Sequence, residues 1–504
     1  MPAWQHVLDW RAAHDADRIA LSDDRGGELG YAELADAVER EAARLAAAGV
    51  APGDVVPLLA HNRVEWAVTL FGLLRAGALP APVNWRLAPP EVAVLLDMMR
   101  ARHVVADDAG AQLLGKVDGF GGTVLPLLPD PPAGSTPPVR THERMLTSAP
   151  CALLHTSGTT GRPKLVPVTH EMLISAATFM SLEVPEAMPG ARHLSALPLF
   201  HVAGLVNLGY ALFTGGHLHL LDGFVPPRFV DELTNRRIQL TQLVPTLVDA
   251  VTSEVASRAT APDLSALVEV VYGASAIRPE VLERAVTTLG CRFRQAYAST
   301  ETGPLPISSL TPADHDVSLG RLASAGRPSL GWEIRLGEHG EVQVRGAAPF
   351  PGYWNDPVAT RQVLTSDGFY RTGDIGTIDA DGYLTLVDRL KDMVVSGGEN
   401  VYPAEVEAVL AAHPAVREVA VIGVPHPRWG ETVHAVVVPA DGEADGEGEF
   451  AAEQFLAWAR ERLAHFKAPT GITVAAHLPR NATGKVLKGP LREPFWAGHA
   501  RRVS

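Results

Sequence analysis

The chain has only two cysteines, Cys151 and Cys291, among its 504 residues. Two cysteines cannot provide a disulfide framework or a cysteine-rich metal cluster, and they suit a reducing compartment. The sequence also lacks any run of about 18 apolar residues, and its first residues lack the pattern of a secretory signal. We therefore expect a cytoplasmic protein without membrane insertion.

Runs of lysine and arginine are missing as well. The formal net charge is −14, and a charge of this sign repels phosphate backbones and anionic lipid surfaces unless a local basic patch compensates. We expect no nucleic-acid partner. The sequence leaves the oligomeric state open.

The length of the chain predicts at least two domains, because single hydrophobic cores stop growing near roughly 250 to 300 residues. In the first half, helical patterns over 31–48 and 63–76 alternate with a strand pattern over 54–59. This alternation predicts an α/β fold with mostly parallel strands. The proline-rich segment 126–138 and the acidic, glycine-rich segment 441–449 are interpreted as surface connections.

Beyond Gly340 the pattern changes to short strands and turns, and the charged run 388–392 follows an apolar strand-like segment. We place a domain boundary at this run. The second domain is predicted to contain helices over 403–412 and 450–464 and strands over 416–424 and 433–439.

The segment Thr156-Ser-Gly-Thr-Thr-Gly-Arg-Pro-Lys164 carries the most information about function. Glycines let the backbone turn and direct N–H groups inward, hydroxyls add donors, and a lysine completes a cradle for phosphate oxygens. The spacing is not that of a Walker motif, in which Gly-Lys-Ser/Thr follows four residues after the first glycine. The segment predicts a phosphate-binding loop of another kind.

Five further motifs occur in order after this loop. They are Leu197-Pro-Leu-Phe-His-Val-Ala-Gly204, Gln295-Ala-Tyr-Ala-Ser-Thr-Glu301, Tyr370-Arg-Thr-Gly-Asp374, Asp388-Arg-Leu-Lys-Asp392 with Ser396-Gly-Gly-Glu-Asn-Val-Tyr-Pro403, and Pro479-Arg-Asn-Ala-Thr-Gly-Lys485. Together the six segments resemble the adenylate-forming superfamily of acyl-CoA synthetases, luciferases and peptide-synthetase adenylation domains. The similarity extends over roughly residues 25 to 490.

This resemblance implies a large N-terminal adenylate-forming domain with mixed sheets and helices over 1–388, and a hinge over 389–391. A small mobile α+β domain over 392–504 follows. It also implies an acid–thiol ligase that uses ATP and Mg²⁺ to form an acyl-adenylate with release of pyrophosphate. The acyl group then passes to coenzyme A.

Adenylation needs cationic side chains, hydrogen-bond donors and a metal ion in the active site, because attack of a carboxylate on the α-phosphate concentrates negative charge at phosphorus. Glu301 is similar to the family's magnesium ligand, although a lone glutamate in a loop is otherwise a solvated charge. The residues that the resemblance assigns to ATP are Thr156, Ser157, Gly158, Thr159, Thr160, Gly161, Lys164, Gly273, Ala274, Tyr297, Thr300, Asp374 and Arg389.

Two of these ATP residues, Asp374 and Arg389, resemble family residues that contact the nucleotide: Asp374 the one that accepts from both ribose hydroxyls, and Arg389 the arginine that reaches the ribose or phosphate. Their alternatives are an aspartate of an Asx turn and an arginine in a surface ion pair with Asp388 or Asp392.

Lys485 is similar to the lysine that joins carboxylate and α-phosphate during adenylation, whereas an exposed lysine without this motif is solubilising. Because Lys485 lies in the small domain, the resemblance implies a rotation about Lys391 between the two half-reactions. The segment Ser396, Gly397 and Gly398 would then face the tunnel for the pantetheine arm, and its alternative is an ordinary glycine turn.

His201 resembles a residue that gates the acyl and thiol channels, and its alternative is a buried core histidine. The predicted acyl pocket is small or apolar, and its residues are Val202, Val206, Ala298 and Ser299, next to Ala274. Ala298 departs from the family pattern, which has glycine there, so its methyl group is expected to reshape this pocket. We expect an uncharged, bulky or medium-length acid.

Two alternatives remain open on the sequence. The same chemistry could load the pantetheine of a separate carrier protein, or the fold could serve as a non-catalytic nucleotide-binding module. The second alternative requires the loss of at least one of Glu301, Asp374 and Lys485, and all three are present.

Overall fold

The architecture is taken from a computed structural model. The structure describes residues 3–127, 147–156, 163–184, 188–275, 277–303, 305–346, 350–390, 392–396, 399–427, 429–440, 451–481 and 484–497. The chain forms two compact units, which are Met1–Glu333 with Val344–Tyr370, and Ile334–Gln343 with Arg371–Ser504.

The first unit alternates helices and strands along the chain. Its helices are α1 (Trp4–His14), α2 (Tyr31–Ala47), α3 (Val64–Arg75), α4 (Pro89–Met99), α5 (Asp108–Leu114), α6 (His170–Glu183), α7 (Val202–Thr214), α8 (Pro226–Asn235), α9 (Pro245–Ser257), α10 (Pro279–Leu289) and α11 (Pro357–Val363). Its strands are β1 (Ile19–Asp23), β2 (Glu28–Gly30), β3 (Val55–Leu59), β4 (Leu79–Pro82), β5 (His103–Ala106), β6 (Thr123–Pro126), β7 (Pro150–Thr156), β8 (Lys164–Thr169), β9 (Arg192–Ser195), β10 (His217–Leu220), β11 (Leu240–Leu243), β12 (Glu269–Gly273), β13 (Arg292–Tyr297), β14 (Ser308–Leu310) and β15 (Arg327–Pro328).

Within the described residues, the largest sheet of this unit has the order β15-β14-β13-β12-β11-β9-β10-β1-β2. Its central strands, from β13 to β1, pair in parallel, and β2, β14 and β15 add antiparallel edges. Parallel strands require crossover connections, which α8, α9 and α10 supply between β10 and β13. A second sheet, β4-β3-β5-β6, is parallel throughout, and β7 and β8 form an antiparallel pair.

Local sequence explains why α2 begins and ends where it does. The Glu33 carboxylate accepts a hydrogen bond of 2.8 Å from the Gly30 N–H, which satisfies a backbone donor at the start of the helix. Leu34 and Val38 are one turn apart and fully buried, and each contributes about 1.5 to 3 kcal/mol relative to an exposed side chain. The chain leaves the helix at Gly49, whose φ is +95°.

The second unit is smaller. One sheet has the strand order β16 (Trp332–Leu336), β17 (Glu341–Gly346), β18 (Tyr370–Ile378) and β19 (Leu384–Arg389). The division points between the two units fall inside β16, β17 and β18. The remaining elements are β20 (Val394–Ser396), β21 (Glu399–Val401), α12 (Pro403–Leu410), β22 (Val416–His426), β23 (Gly430–Pro439), α13 (Ala452–Arg462), β24 (Gly471–Val474) and α14 (Lys488–Trp496). Their sheet has the order β21-β20-β23-β22, with β24 parallel to β23.

The predicted fold class, a large α/β domain followed by a smaller α+β domain, is confirmed. The compact units divide after Tyr370, and beyond this point β18 and β19 pair with each other through Asp374–Ile378 and Leu384–Arg389. The predicted domain boundary at 388 stays a prediction. The predicted hinge concerns a rotation, and it stays a prediction. Among the described helices, none combines the length and the apolar character that a membrane crossing needs. Segment 441–449 and most of 126–138 lie outside the described residues.

Candidate active site

The ends of β12 and β13 bring two of the predicted segments together. These strands are parallel neighbours, with Gly273 opposite Ala296, so their carboxyl ends reach the same edge of the sheet. A Cβ atom at position 273 would lie 2.3 Å from the Ala296 carbonyl oxygen, which explains the glycine. Ala274 follows in the left-handed region, with a φ of +71°, which costs a residue with a Cβ atom about 1 to 2 kcal/mol.

The loop after β13 holds the other residues of this edge. Tyr297 is buried, Thr300 is half-buried and Ala298 is exposed. The Ser299 N–H donates to the Thr302 hydroxyl at 3.1 Å, and the Thr302 N–H donates to the Ser299 hydroxyl at 3.2 Å. The Ser299 hydroxyl therefore holds this turn, and its role in the acyl pocket stays a prediction.

The predicted phosphate loop connects β7 to β8. Thr156 ends β7 and lies opposite Lys164, which begins β8. Ser157, Gly158, Thr159, Thr160 and Gly161 lie outside the described residues. The antiparallel pair thus fixes both ends of the loop and brings the lysine back beside Thr156.

Glu301 and Lys164 both contact the side chain of Tyr353. The Tyr353 hydroxyl donates to Glu301 Oε1 at 3.1 Å, and Lys164 Nζ lies 4.5 Å from the centre of the Tyr353 ring. The predicted magnesium ligand and the predicted phosphate lysine are therefore close together in the first unit.

The carboxylate of Glu301 fits a magnesium ion. Mg²⁺ is commonly held by one or two carboxylates, water and the phosphate oxygens of a nucleotide, without a cage of protein ligands. Within the described ranges, no three His, Cys, Asp or Glu side chains cluster in a way that could hold a metal ion. Glu301 is half-buried and contacts the same tyrosine as a lysine suited to phosphate, which matches the sparse arrangement that MgATP uses.

Two neutral histidines lie near the phosphate loop. Burial lowers the pKa of His201 to about 4, and burial followed by the nearby His201 lowers the pKa of His155 to about 4. His201 precedes α7, and its Nδ1 accepts from the Ala203 N–H at 3.3 Å, while His155 Nε2 accepts from the Asn84 N–H at 3.1 Å. At neutral pH each ring therefore carries its proton on the other nitrogen.

The predicted acyl residues on α7 are apolar and buried. Val202 and Val206 are each 8% exposed and belong to the core between the helices of this unit. Val206 also lines a narrow cleft between α6 and α7, together with Leu173, Ala176, Ala177, Met180, Gly209 and Tyr210. This cleft is apolar apart from the Tyr210 hydroxyl.

The predicted ribose residues lie in the second unit, where they are opposite each other on β18 and β19. Arg389 Nε donates to Asp374 Oδ1 at 2.8 Å, and Asp374 is 6% exposed. Asp388 accepts hydrogen bonds from the backbone N–H groups of Arg389 and Ala404, and Asp392 pairs with Arg492. Arg389 thus has Asp374 as an ion-pair partner, which the sequence did not suggest.

Lys485 and Ser396 are also in the second unit. The Lys485 N–H donates to Asn481 Oδ1 at 2.8 Å, and the Lys485 carbonyl accepts from the Asn481 N–H at 2.9 Å. These two bonds close a turn that presents the half-buried lysine. Ser396 is buried at the end of β20, whereas Gly397, Gly398 and Lys391 lie outside the described residues.

Comparison with known proteins decides the family. A model described as the AMP-binding enzyme family matches residues 8–354, and a model of its C-terminal domain matches residues 405–485. The chain belongs to the AMP-binding enzyme family. It is 39% identical over 492 residues to a feruloyl-CoA synthase of an Amycolatopsis species, which covers 93% of this chain and 94% of that protein.

Further similarities agree with this family. The chain is 34% identical over 508 residues to a fatty acid–[acyl-carrier-protein] ligase of Streptomyces coeruleorubidus, covering 95% of this chain and 94% of that protein. The o-succinylbenzoate CoA synthetase of Bacillus subtilis, solved with its acyl-adenylate intermediate, has a TM-score of 0.84 and 29% identity. The match covers 97% of this chain and 98% of the chain in that structure. The same enzyme has also been solved with ATP and magnesium.

These AMP-binding enzymes confirm the activity predicted from the sequence. The protein is an ATP-dependent, AMP-forming acid–thiol ligase, and its cofactors are ATP, Mg²⁺ and coenzyme A. The roles of the individual site residues stay predictions.

Tyr353 and His155 are candidate functional residues that sequence reasoning missed. His155 directly precedes the phosphate loop, and this position was the available signal for it. Tyr353 lies in Gly352-Tyr-Trp354, just before α11, and no local pattern shows that it reaches Glu301, which is 52 positions away.

Proposed function

We propose that this ligase activates an uncharged aryl or medium-length carboxylic acid and transfers the acyl group to coenzyme A. The observation that supports this acid class is the neutral, apolar character of the predicted acyl site. Val202 and Val206 are buried there, and His201 is uncharged at neutral pH. A second carboxylate in the acyl chain would lose its hydration without gaining a cationic partner.

In this proposal Lys164 binds the phosphates and Glu301 binds the metal. Lys485 stabilises the carboxylate as it attacks the α-phosphate. Asp374 and Arg389 hold the ribose. Bound Mg²⁺ would neutralise charge that develops on the phosphate oxygens. Rotation about residues 389–391 and the thiol tunnel at Ser396 are part of the proposal, and the cytoplasmic location stays a prediction.

A pyrophosphate-release screen over carboxylic acids tests the acid class. Ferulate, o-succinylbenzoate, octanoate, malonate and acetate are each supplied with ATP and Mg²⁺, with and without coenzyme A. We expect ferulate or octanoate to exceed malonate and acetate by at least about 100-fold in kcat/KM, because an unpaired charge or a largely empty apolar pocket costs several kcal/mol. The inactive control is Glu301→Gln. A preference for malonate would contradict the proposed acid class.

The carrier protein is a second candidate acceptor, and the 34% identity to the carrier-protein ligase favours considering it. Thioester formation is measured with coenzyme A and with a pantetheinylated acyl-carrier protein, using the acid that the screen selects. We expect a higher kcat/KM for coenzyme A. The reverse order would transfer the proposal to the carrier protein.

Ala298→Gly is expected to change the choice of acid but not the binding of ATP. Ala298 is exposed and directly follows Tyr297, two residues beyond Ala296, which lies opposite Gly273. One methyl group in an apolar pocket changes discrimination by roughly 1 to 3 kcal/mol, so relative kcat/KM values between bulky and slender acids should move about 5- to 150-fold. An unchanged ranking of acids, accompanied only by a change in melting temperature, would assign Ala298 to the backbone conformation alone.

A further inference from the structure

The structure assigns Tyr353 as a positioning residue for adenylation: its hydroxyl orients the Glu301 carboxylate and its ring supports the Lys164 ammonium. This inference rests on the proposed magnesium role of Glu301. It concerns a residue that neither the motifs nor the comparisons identify. Its basis is a single buried side chain that contacts two separate parts of the proposed ATP site.

The hydroxyl of Tyr353 is a donor to Glu301 at neutral pH. A tyrosine hydroxyl ionises only at alkaline pH, so the phenol is protonated and can donate. The Tyr353 hydroxyl oxygen lies 3.1 Å from Glu301 Oε1, to which it donates. A carboxylate with one oxygen held by such a donor can offer the other oxygen to a metal in one orientation.

The ring of Tyr353 is held firmly. Tyr353 is 7% exposed, and the Phe350 ring packs edge-on against it with 5.0 Å between the ring centres. The Tyr353 N–H donates to the Thr360 hydroxyl at 2.9 Å. Packing on one side and a backbone anchor on the other fix the position of the ring that faces Lys164.

The segment that carries Tyr353 is also tied to the strand that carries Lys164. The Trp354 N–H donates to the Leu165 carbonyl at 2.8 Å, one residue after the lysine. The Lys164 ammonium lies over the Tyr353 ring, where the negative face of the ring attracts a cation. Tyr353 therefore joins the loop after β13 to the start of β8.

Tyr353→Phe tests the hydroxyl, because this change keeps the ring and the contact with Lys164. Loss of a group that orients a metal ligand typically lowers metal affinity or activity 10- to 100-fold, so we expect the Mg²⁺ concentration for half-maximal pyrophosphate release to rise about 10-fold or more. At saturating Mg²⁺ most of kcat should return. Tyr353→Leu also removes the ring and should weaken ATP binding by a further factor of about 2 to 30.

Tyr31→Phe is the matched control for the loss of a buried phenol. Tyr31 is fully buried and donates to the Gly216 carbonyl at 2.7 Å, outside the predicted site. Tyr31→Phe should lower the melting temperature without changing the Mg²⁺ dependence. A purely structural Tyr353 would give the same result, and that outcome for Tyr353→Phe overturns the inference.

ATP binding separates failure of this inference from failure of the proposed function, because it needs no acid substrate. ATP affinity is measured by calorimetry in EDTA and in excess Mg²⁺, and Glu301→Gln should lose the gain that Mg²⁺ gives. In Tyr353→Phe, the increase in ATP affinity that Mg²⁺ gives should be about 10-fold smaller than in the wild type. Full retention in Tyr353→Phe, with loss in Glu301→Gln, overturns the role of Tyr353 and leaves Glu301 in place. Retention in both overturns the magnesium role of Glu301 and the inference together, whereas inactivity toward every uncharged acid overturns the proposed substrate class alone.

Discussion

Lys485→Ala is expected to lower the rate of adenylate formation by at least about 10²- to 10³-fold, the usual cost of removing one group that stabilises developing charge. Thioester formation from a supplied acyl-adenylate should fall by less than about 5-fold, because the proposed role of the lysine belongs to the first half-reaction. The turn around Lys485 should persist in the variant, because the hydrogen bonds that close it join the Lys485 backbone, which alanine keeps, to Asn481. Pyrophosphate exchange and single-turnover thioester formation measure the two half-reactions separately.

Lys488→Ala provides a matched control for this loss of a lysine. Lys488 begins α14 and pairs with Glu407 at 2.8 Å, within the same unit. Lys488 has no proposed role in either half-reaction, so both half-reactions should stay near the wild-type rate, and the loss of the ion pair should appear only as a change in the stability of this unit. If Lys485→Ala slowed both half-reactions equally, the assignment of Lys485 to adenylation would be wrong.

The protein is expected to lose stability steeply as the pH falls below about 6.5. Burial lowers the pKa of His170, His193 and His219 to about 4. The folded state therefore resists protonation, whereas the unfolded chain accepts a proton near pH 6.5. The free energy of unfolding that depends on these histidines is fully present above that pH and is lost between about pH 6.5 and pH 4.

The size of this effect follows from proton linkage. Each such histidine lowers the free energy of unfolding by at most about 1.4 kcal/mol for each pH unit below 6.5. The three together can therefore lower it by about 4 kcal/mol per pH unit. A total stability of about 5 to 15 kcal/mol would be consumed within a few pH units. Urea unfolding at pH 7.5, 6.5, 5.5 and 5.0 measures the slope, and equal stability at pH 7.5 and pH 5.0 would refute the prediction.

His219→Gln isolates one contribution to this acid sensitivity. His219 is fully buried, its Nδ1 lies 2.8 Å from the Ser22 hydroxyl, and the same hydroxyl lies 2.6 Å from His217 Nε2. Glu232 would favour a charged His219, but burial and the nearby Arg236 outweigh it. The substitution should reduce the slope by up to about 1.4 kcal/mol per pH unit, and an unchanged slope would contradict the role of His219.

Local patterns in the sequence predicted the secondary structure well. The helix expected over 31–48 occupies Tyr31–Ala47, and the strand expected over 54–59 occupies Val55–Leu59. The helix expected over 450–464 is shorter, at Ala452–Arg462. The period of apolar residues is a local property and defines an element, whereas its last residue depends on capping and packing, which the period does not contain.

Contacts between distant residues could not be predicted in this way. The pairing of Asp374 with Arg389 depends on the register of β18 and β19, and the bond from Tyr353 to Glu301 joins residues 52 positions apart. The motifs named Asp374, Arg389 and Glu301 because each belongs to a recognisable segment. Tyr353 owes its importance to what it touches, and a single sequence carries no signal for that.

The backbone at the end of β12 also limits how the substrate range could be engineered. Any side chain at position 273 would collide with the Ala296 carbonyl, so a randomised library there should return glycine among its folded members. At position 274 the φ of +71° admits glycine, asparagine and aspartate most readily and works against β-branched residues. Diversity is better introduced at Ala298, which is exposed and follows the last residue of β13, so a mutational library there would vary the predicted acyl site without breaking the sheet.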